Sequence, residues 1–439
     1  MLLSNVTRLT RPKRIRREVI WVMIAQASAM LGQMAIVKYL TNTIDAEGYG
    51  IYAFGLTLAG IISMLIFGPV AQTVLRFAQY SYEKNQYTFF LRKGITIHAK
   101  LNLLIIAFVL LASFISLFLN LDISILTILT AGLLSIFDGA NRSLNALNNS
   151  FRNRSTLATQ RIVESIFKFS AVFLVIAFLS KSGDHALMGF TLGCACSAAI
   201  NILVNYRRER PALKSTNQSI NNDKLMSEMR SYGFAFPFYA IFGAVFAFSD
   251  RLIIESTLGL EQLGIYFAVY QLASAPVTVL AMLLSQLIAP VLFASHLQDP
   301  SGIKVVKQLF VLLGLFSLFY LPILALIIIF SHPVLAFFTS EEIAGKTDGI
   351  FALVSAGLFA FHLGQLALLY GQSLKKTNNY ILSKALHATI FLLLTWFLIH
   401  DYSLVGVAYA LIISSCFYLI FNICIGTYLF LDQKKIYHA

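Results

Sequence analysis

Apolar runs of about twenty residues, each broken off by a short polar stretch, recur along the whole chain. A helix rises 1.5 Å per residue, so a run of that length crosses the roughly 30 Å hydrocarbon layer of a bilayer. The interruptions mark off runs at 19–40, 49–73, 101–119, 123–145, 161–179 and 186–205, then at 234–257, 264–293, 309–330, 349–373, 381–399 and 404–431. The pattern predicts an all-α polytopic membrane protein of about 12 transmembrane helices, because an isolated membrane-spanning segment satisfies its own backbone only as a helix. Between the two sets lies a hydrophilic stretch from Tyr206 to Ser231, with Arg207-Arg208-Glu209-Arg210 and many Ser and Asn residues, which reads as a flexible linker. The expected organisation is an N-terminal six-helix lobe over 1–205, a cytoplasmic linker over 206–233 and a C-terminal six-helix lobe over 234–439.

Composition agrees with that class: 58% of the 439 residues are hydrophobic and 12% are charged, against roughly 25% charged in a soluble domain. The net charge of +13 does not point to nucleic acid, because placement decides what the bases mean. The N-terminal tail, the loops after the even-numbered spans and the C-terminal tail hold roughly 28 of the 33 Lys and Arg residues. The opposite loops hold Lys181 and Lys346 among several acids. Both termini are therefore expected in the cytoplasm. Bases from Arg8 to Arg17 precede a first run too long for a signal-peptide core and without an Ala-x-Ala exit, so that run is read as a retained span. Cys194, Cys196, Cys416 and Cys424 lie inside apolar runs without metal-ligand spacing and read as packing residues.

The two sets of six spans carry a faint internal repeat. Gly50-Ile51-Tyr52 has its counterpart in Gly264-Ile265-Tyr266, and at the same offset Leu58-Ala59 matches Leu272-Ala273 and Gln72 matches Gln286. Six spans per half is an even number, so the halves share one orientation, related by an axis along the membrane normal, with a central cavity between them.

Three bases, Lys38, Lys168 and Arg251, belong to no loop. A charge in the bilayer interior costs roughly 2.5–3.5 kcal/mol, so it marks a pathway or a partner. Arg251 follows Asp250 some 17 residues into its span, roughly 26 Å along the helix and in the outer leaflet half. The repeat sets Arg251 opposite Val37, one residue from Lys38. Arg251 is expected to face a wet cavity as an anion contact; helix pairing is the plainer reading, and for Lys38 so is snorkelling to the headgroups. In the fourth span Asp138, Asn141, Arg142, Asn145, Asn148 and Asn149 recur every three or four residues and paint one polar stripe, expected as a cavity wall, with interhelical bonding as the alternative. Asp138 with Arg142, and Glu164 with Lys168, are spaced for ion pairs within a helix. Gly68-Pro69, Pro237, Pro276 and Pro290 offer places for bending. No Gly-rich phosphate loop, zinc motif or serine elbow is present, so no enzyme, metal site or cofactor is expected.

Twelve spans in parallel halves, the Gly-x-Tyr openings Glu47-Gly48-Tyr49-Gly50-Ile51-Tyr52 and Gln262-Leu263-Gly264-Ile265-Tyr266, and Asp250-Arg251 late in the seventh span resemble the O-antigen type polysaccharide-biosynthesis flippases of the multidrug/oligosaccharidyl-lipid/polysaccharide exporter superfamily. The resemblance implies translocation of undecaprenyl-pyrophosphate-linked oligosaccharide, an O-antigen or capsule repeat unit, between leaflets of a bacterial inner membrane by alternating access of two lobes. It implies membrane lipid and other polysaccharide-assembly membrane proteins as neighbours. By position it assigns Arg251 and Asp250 to the substrate site, with Lys38 as a first-span partner. In the mechanism that the charges suggest, Asn141, Asn145 and Gln286 bond sugar hydroxyls and Asp138 and Arg142 share the wall, while Glu164 and Lys168 read as a self-neutralised pair near the cytoplasmic interface, with a substrate or proton-coupling role as the alternative. Two other readings stay open: a multidrug or small-molecule antiporter that binds cations through Asp138, Glu164 and Asp250, and a membrane glycan polymerase or ligase.

Overall fold

The computed structural model describes residues 12–119, 123–214, 222–298, 302–347, 349–374 and 376–438. Among these residues the regular structure is helical throughout, with no strand. The helices are α1 (Pro12–Thr41), α2 (Ala46–Ile62), α3 (Gly68–Glu83), α4 (Tyr87–Leu119), α5 (Ile125–Ser150), α6 (Arg154–Phe178), α7 (Gly183–Lys214), α8 (Asn222–Gln298), α9 (Ile303–Ile329), α10 (Ser331–Phe338), α11 (Glu341–Gly345), α12 (Ile350–Ala367), α13 (Leu369–Ser373) and α14 (Ile381–His438). Among the described residues eight stretches are long and apolar enough to cross a membrane, with α2 and α3 forming one of them. Two of the eight bend: α8 breaks at Gly259 and α14 at Ser403, each in a non-helical backbone conformation. Helices α5 and α6 add two more, made less apolar by the stripe and the charge pairs. Counted as arms, these make twelve long helical segments, as many as the sequence has apolar runs.

The chain divides into two compact units, one of the described residues up to Gly32 with Glu47–Ala244, the other of Gln33–Ala46 with the residues from Val245 onward. The end of the first span therefore belongs to the second unit. The segment 206–233 belongs to the first and is helical on both sides of 215–221. Its helicity has a local cause: Leu225 and Met229, four apart on one face of α8, are buried against Phe77, Tyr87, Phe90 and Leu147. Tyr232, one turn on, lies under the Arg76 guanidinium at 4.4 Å.

In the first unit α6 and α7 approach closely because Gly189 and Gly193 present no side chain. A Cβ at Gly193 would sit 2.5 Å from the Lys168 Cα, and one at Gly189 2.7 Å from the Val172 Cα. This is the small-residue contact by which membrane helices pack without a hydrophobic drive between them. Helices α2 and α3 are joined by a π-helical turn, Ser63–Phe67, in which the Gly68 N–H donates to the Ser63 carbonyl. Pro69 has no N–H for the next rung of the ladder, and the widened turn precedes it.

In the second unit α12 and the two arms of α14 share an aromatic stack. Phe246 lies 4.5 Å from Phe361 and 4.2 Å from His387, and His387 lies 4.5 Å from Tyr418, centroid to centroid. Asn422 donates to the Gly364 carbonyl at 3.1 Å and accepts from the Ser383 hydroxyl at 2.5 Å, so its amide is held from both sides.

Candidate functional site

Asp250 and Arg251 lie on the first arm of α8, two turns before its break at Gly259, and both are buried, 2% and 9% exposed. Their side chains part company, as neighbours on a helix do. The Asp250 carboxylate accepts the Tyr266 hydroxyl at 2.8 Å and the Arg251 backbone N–H at 2.9 Å. The Arg251 guanidinium enters a box of rings, 4.8 Å from Phe267, 4.9 Å from Tyr270 and 5.5 Å from Phe248. Its Nε is buried without a hydrogen-bond partner, and among the described residues no carboxylate forms an ion pair with it. A desolvated cation against aromatic faces gains about 2 kcal/mol. Arg251 is thus a fixed positive charge held by π systems, not the water-facing side chain expected.

Lys38 sits in the same unit but serves another element. Its ammonium donates to the Ala336 and Thr339 carbonyls at 3.0 and 2.9 Å, closing the C-terminal end of α10, where a cation meets the negative end of the helix dipole. Gln33, a turn earlier, bonds Gln271 on the second arm of α8. Gln286, further along that arm, is exposed.

The stripe on α5 divides. Asn141, 2% exposed, accepts from Asn201 at 3.1 Å, Asn145 accepts from the same amide at 3.5 Å, and Asn148 accepts from Arg208 at 2.7 Å. Asn201 in turn accepts from Asn205 at 2.8 Å. This asparagine ladder fastens α5 to α7, so Asn141 and Asn145 are engaged in packing, the alternative to a cavity wall. Asp138 and Arg142 face elsewhere and form the expected pair at 2.5 Å, with the Ser63 hydroxyl of the π turn donating to the same Asp138 oxygen at 2.6 Å. On α6, Glu164 accepts from Lys168 at 2.6 Å and from Arg161 at 3.2 Å, and Lys168 lies 4.6 Å over the Phe190 ring. The two pairs are close enough for Lys168 to act electrostatically on Asp138 and for Glu164 to act on Arg142. Together with Arg161 they form one cluster of two acids and three bases within the first unit. Among the described residues no group of His, Cys, Asp and Glu is placed to hold a metal ion.

Sequence reasoning did not anticipate Tyr266, Ser63 or the ring box of Phe248, Phe267 and Tyr270. Tyr266 carried a signal all the same, since it ends the Gly-x-Tyr motif. The rings carried none, because an aromatic residue in an apolar span is ordinary.

A family model described as polysaccharide biosynthesis protein matches residues 15–296. No curated protein matches the chain. Among solved structures, a MATE transporter in an inward-facing conformation superposes with a TM-score of 0.72 at 12% identity, covering 93% of this chain and 96% of that one. A MATE transporter in the straight conformation gives 0.68 at 13%, covering 96% of both chains. A MOP superfamily transporter from Pyrococcus furiosus, described as having a binding pocket of reverse polarity, gives 0.68 at 14% with the same coverage. At such identities the likeness establishes the fold, that of the MOP superfamily transporters.

Proposed function

Because the chain belongs to the polysaccharide biosynthesis protein family, we propose that it is a translocase, moving polyprenyl-pyrophosphate-linked oligosaccharide from the cytoplasmic to the periplasmic leaflet of a bacterial inner membrane by alternating access. Both termini are cytoplasmic in this reading, and no covalent chemistry is performed. The observation that carries it is the buried Arg251 guanidinium, with which no carboxylate makes a direct ion pair among the described residues. A pyrophosphate brings about two negative charges that hydrocarbon does not solvate, and a fixed base in the membrane interior replaces part of what water supplied. Inside its ring box Arg251 acts on that group through the field, which weakly polar surroundings screen far less than water does. Asp250, held by Tyr266, sets the register of α8 beside it. Asp138, Arg142, Glu164 and Lys168 are the candidates for energy coupling.

The fold supports a second reading, a small-molecule antiporter of the MATE kind, which binds cations through acids. The three acids available to it are each engaged: Asp138 by Arg142 and Ser63, Glu164 by Lys168 and Arg161, Asp250 by Tyr266. That engagement favours the anionic substrate.

The test is Arg251→Ala and Arg251→Glu, assayed for surface polysaccharide export in cells and, with purified protein in vesicles, for transfer of a labelled lipid-linked sugar between leaflets. Both variants are expected to reach the membrane folded and to lose transfer, the Glu variant most completely. Normal export by Arg251→Glu would remove Arg251 from the site. Chain extension of the labelled sugar would replace the translocase with a glycan polymerase.

A further inference from the structure

The first unit contains a chamber of about 860 Å³ that the translocation reading does not use. It lies where α3, α4, α5, α7 and the start of α8 meet, at the end of the bundle carrying Lys84, Arg92, Arg152, Arg154 and Arg208. Its size falls within the roughly 300–1,000 Å³ of sites for small ligands. The walls are predominantly apolar, and Ile95, Ile202 and Tyr206, all lining it, are themselves exposed. An apolar chamber lined in part by exposed apolar residues suits a hydrocarbon chain. Gly94 lines it as well, and a Cβ there would meet no atom within 4 Å, so the space is real at side-chain scale.

The polar groups at the chamber are few and uneven. Glu209 is engaged by Arg208 at 2.6 Å, which leaves Arg230, exposed at the rim, as the charge in excess. Deeper in, His98 is bonded to Ser143 at 2.7 Å, and the Asn102 side-chain oxygen is buried without a partner. Met226 and Met229 close the chamber from α8, with side chains that adapt to an irregular occupant.

We infer that the chamber is a binding site for an anionic membrane phospholipid, one aliphatic chain inside and the phosphate against Arg230. The site is separate from the Arg251 region, and its lid is the first turns of the helix that carries Arg251. The inference stands without the translocation reading, because its test measures binding.

Full-length protein in vesicles is illuminated with an anionic phospholipid bearing a photoreactive group on its acyl chain, and the labelled peptides are identified by mass spectrometry. Labelling is expected within 90–102 and 226–233, displaced by excess unlabelled anionic phospholipid. Gly94→Phe fills the chamber and is expected to cut that labelling roughly tenfold or more, as a pocket that loses room for part of its ligand does. Gly94→Leu serves the same purpose if the larger ring impairs folding. Arg230→Gln is expected to abolish the preference for an anionic over a zwitterionic headgroup. Labelling spread over the outer surface and unchanged in a folded Gly94 variant overturns the proposal. So does labelling of these peptides by a photoreactive polyprenyl phosphate alone, which would give the chamber to the tail of a transported lipid.

Discussion

Tyr52 and Tyr266 end the same motif in the two halves, yet their surroundings differ in charge. Tyr266 donates to Asp250, whereas the place of Asp250 in the first half is taken by Ile36, and Tyr52 packs edge-on against Phe190 at 6.0 Å. Removing a donor from a buried acceptor costs the desolvation of that group, so Tyr266→Phe is expected to lower stability by about 1–3 kcal/mol. Tyr52→Phe is expected to cost much less; equal losses in detergent unfolding would mean that the hydroxyl on Asp250 contributes nothing. The Glu164–Lys168 pair gives a second residue-scale contrast. Glu164→Gln strands a buried ammonium and is expected to cost about 3–5 kcal/mol, while Glu164→Gln with Lys168→Met together recovers most of the loss. A double variant no more stable than the single one would show that the cluster is held by something other than this pairing.

Among the elements, the breaks in α8 and α14 turn two continuous helices into four membrane-crossing arms. Gly259 has φ +85°, a conformation that a side chain disfavours, so Gly259→Val is expected to lose about 1–3 kcal/mol. Thermal unfolding of the purified protein checks it, and an unchanged midpoint would place the bend in the surrounding packing. Ser403 bends α14 with φ +51° and bears the strain itself. The apolar runs were legible in the sequence because bilayer thickness sets their length. The charge pairs on α5 and α6 were legible because helical spacing alone brings residues four apart together. The asparagine ladder was half legible: periodicity gives the face of α5 on which Asn141 and Asn145 lie, but whether that face meets water or another helix depends on α7. Lys38 shows the same limit, since the carbonyls of α10 that receive it lie some three hundred residues away. The segment 206–233 reads as a linker by composition, and what anchors its second helical part is the burial of Leu225 and Met229, whose partners are scattered over α3, α4 and α5.

For the whole molecule, the distribution of bases makes a topological prediction. With the native cysteines replaced, Ser182→Cys and Lys346→Cys are expected to react with an impermeant thiol reagent in cells whose outer leaflet is accessible, while Asn153→Cys reacts after lysis. Labelling of Asn153→Cys from outside would invert the molecule. Lys346 does not blur the acidic side, because Glu261 and Glu342 bond its ammonium at 2.9 and 2.8 Å, pushing its pKa up to about 12. The π turn at Ser63–Phe67 bears on the symmetry of the two halves. One residue more than an α-helical turn holds is taken up there, and α8 has no such turn in its matching arm. Beyond it, residues at equal places in the two sequences are out of phase by about 100° around their helix axes. Gln72 and Gln286 thus occupy the same place in the text but different compass bearings. Pro69 and Thr73, which wall the chamber of the first unit, have Leu283 and Leu287 as their textual twins. A halved molecule is therefore a duplicate in spelling and a different object in the round, and beyond Ser63 a substitution transferred between the halves by alignment lands on a different face of its helix.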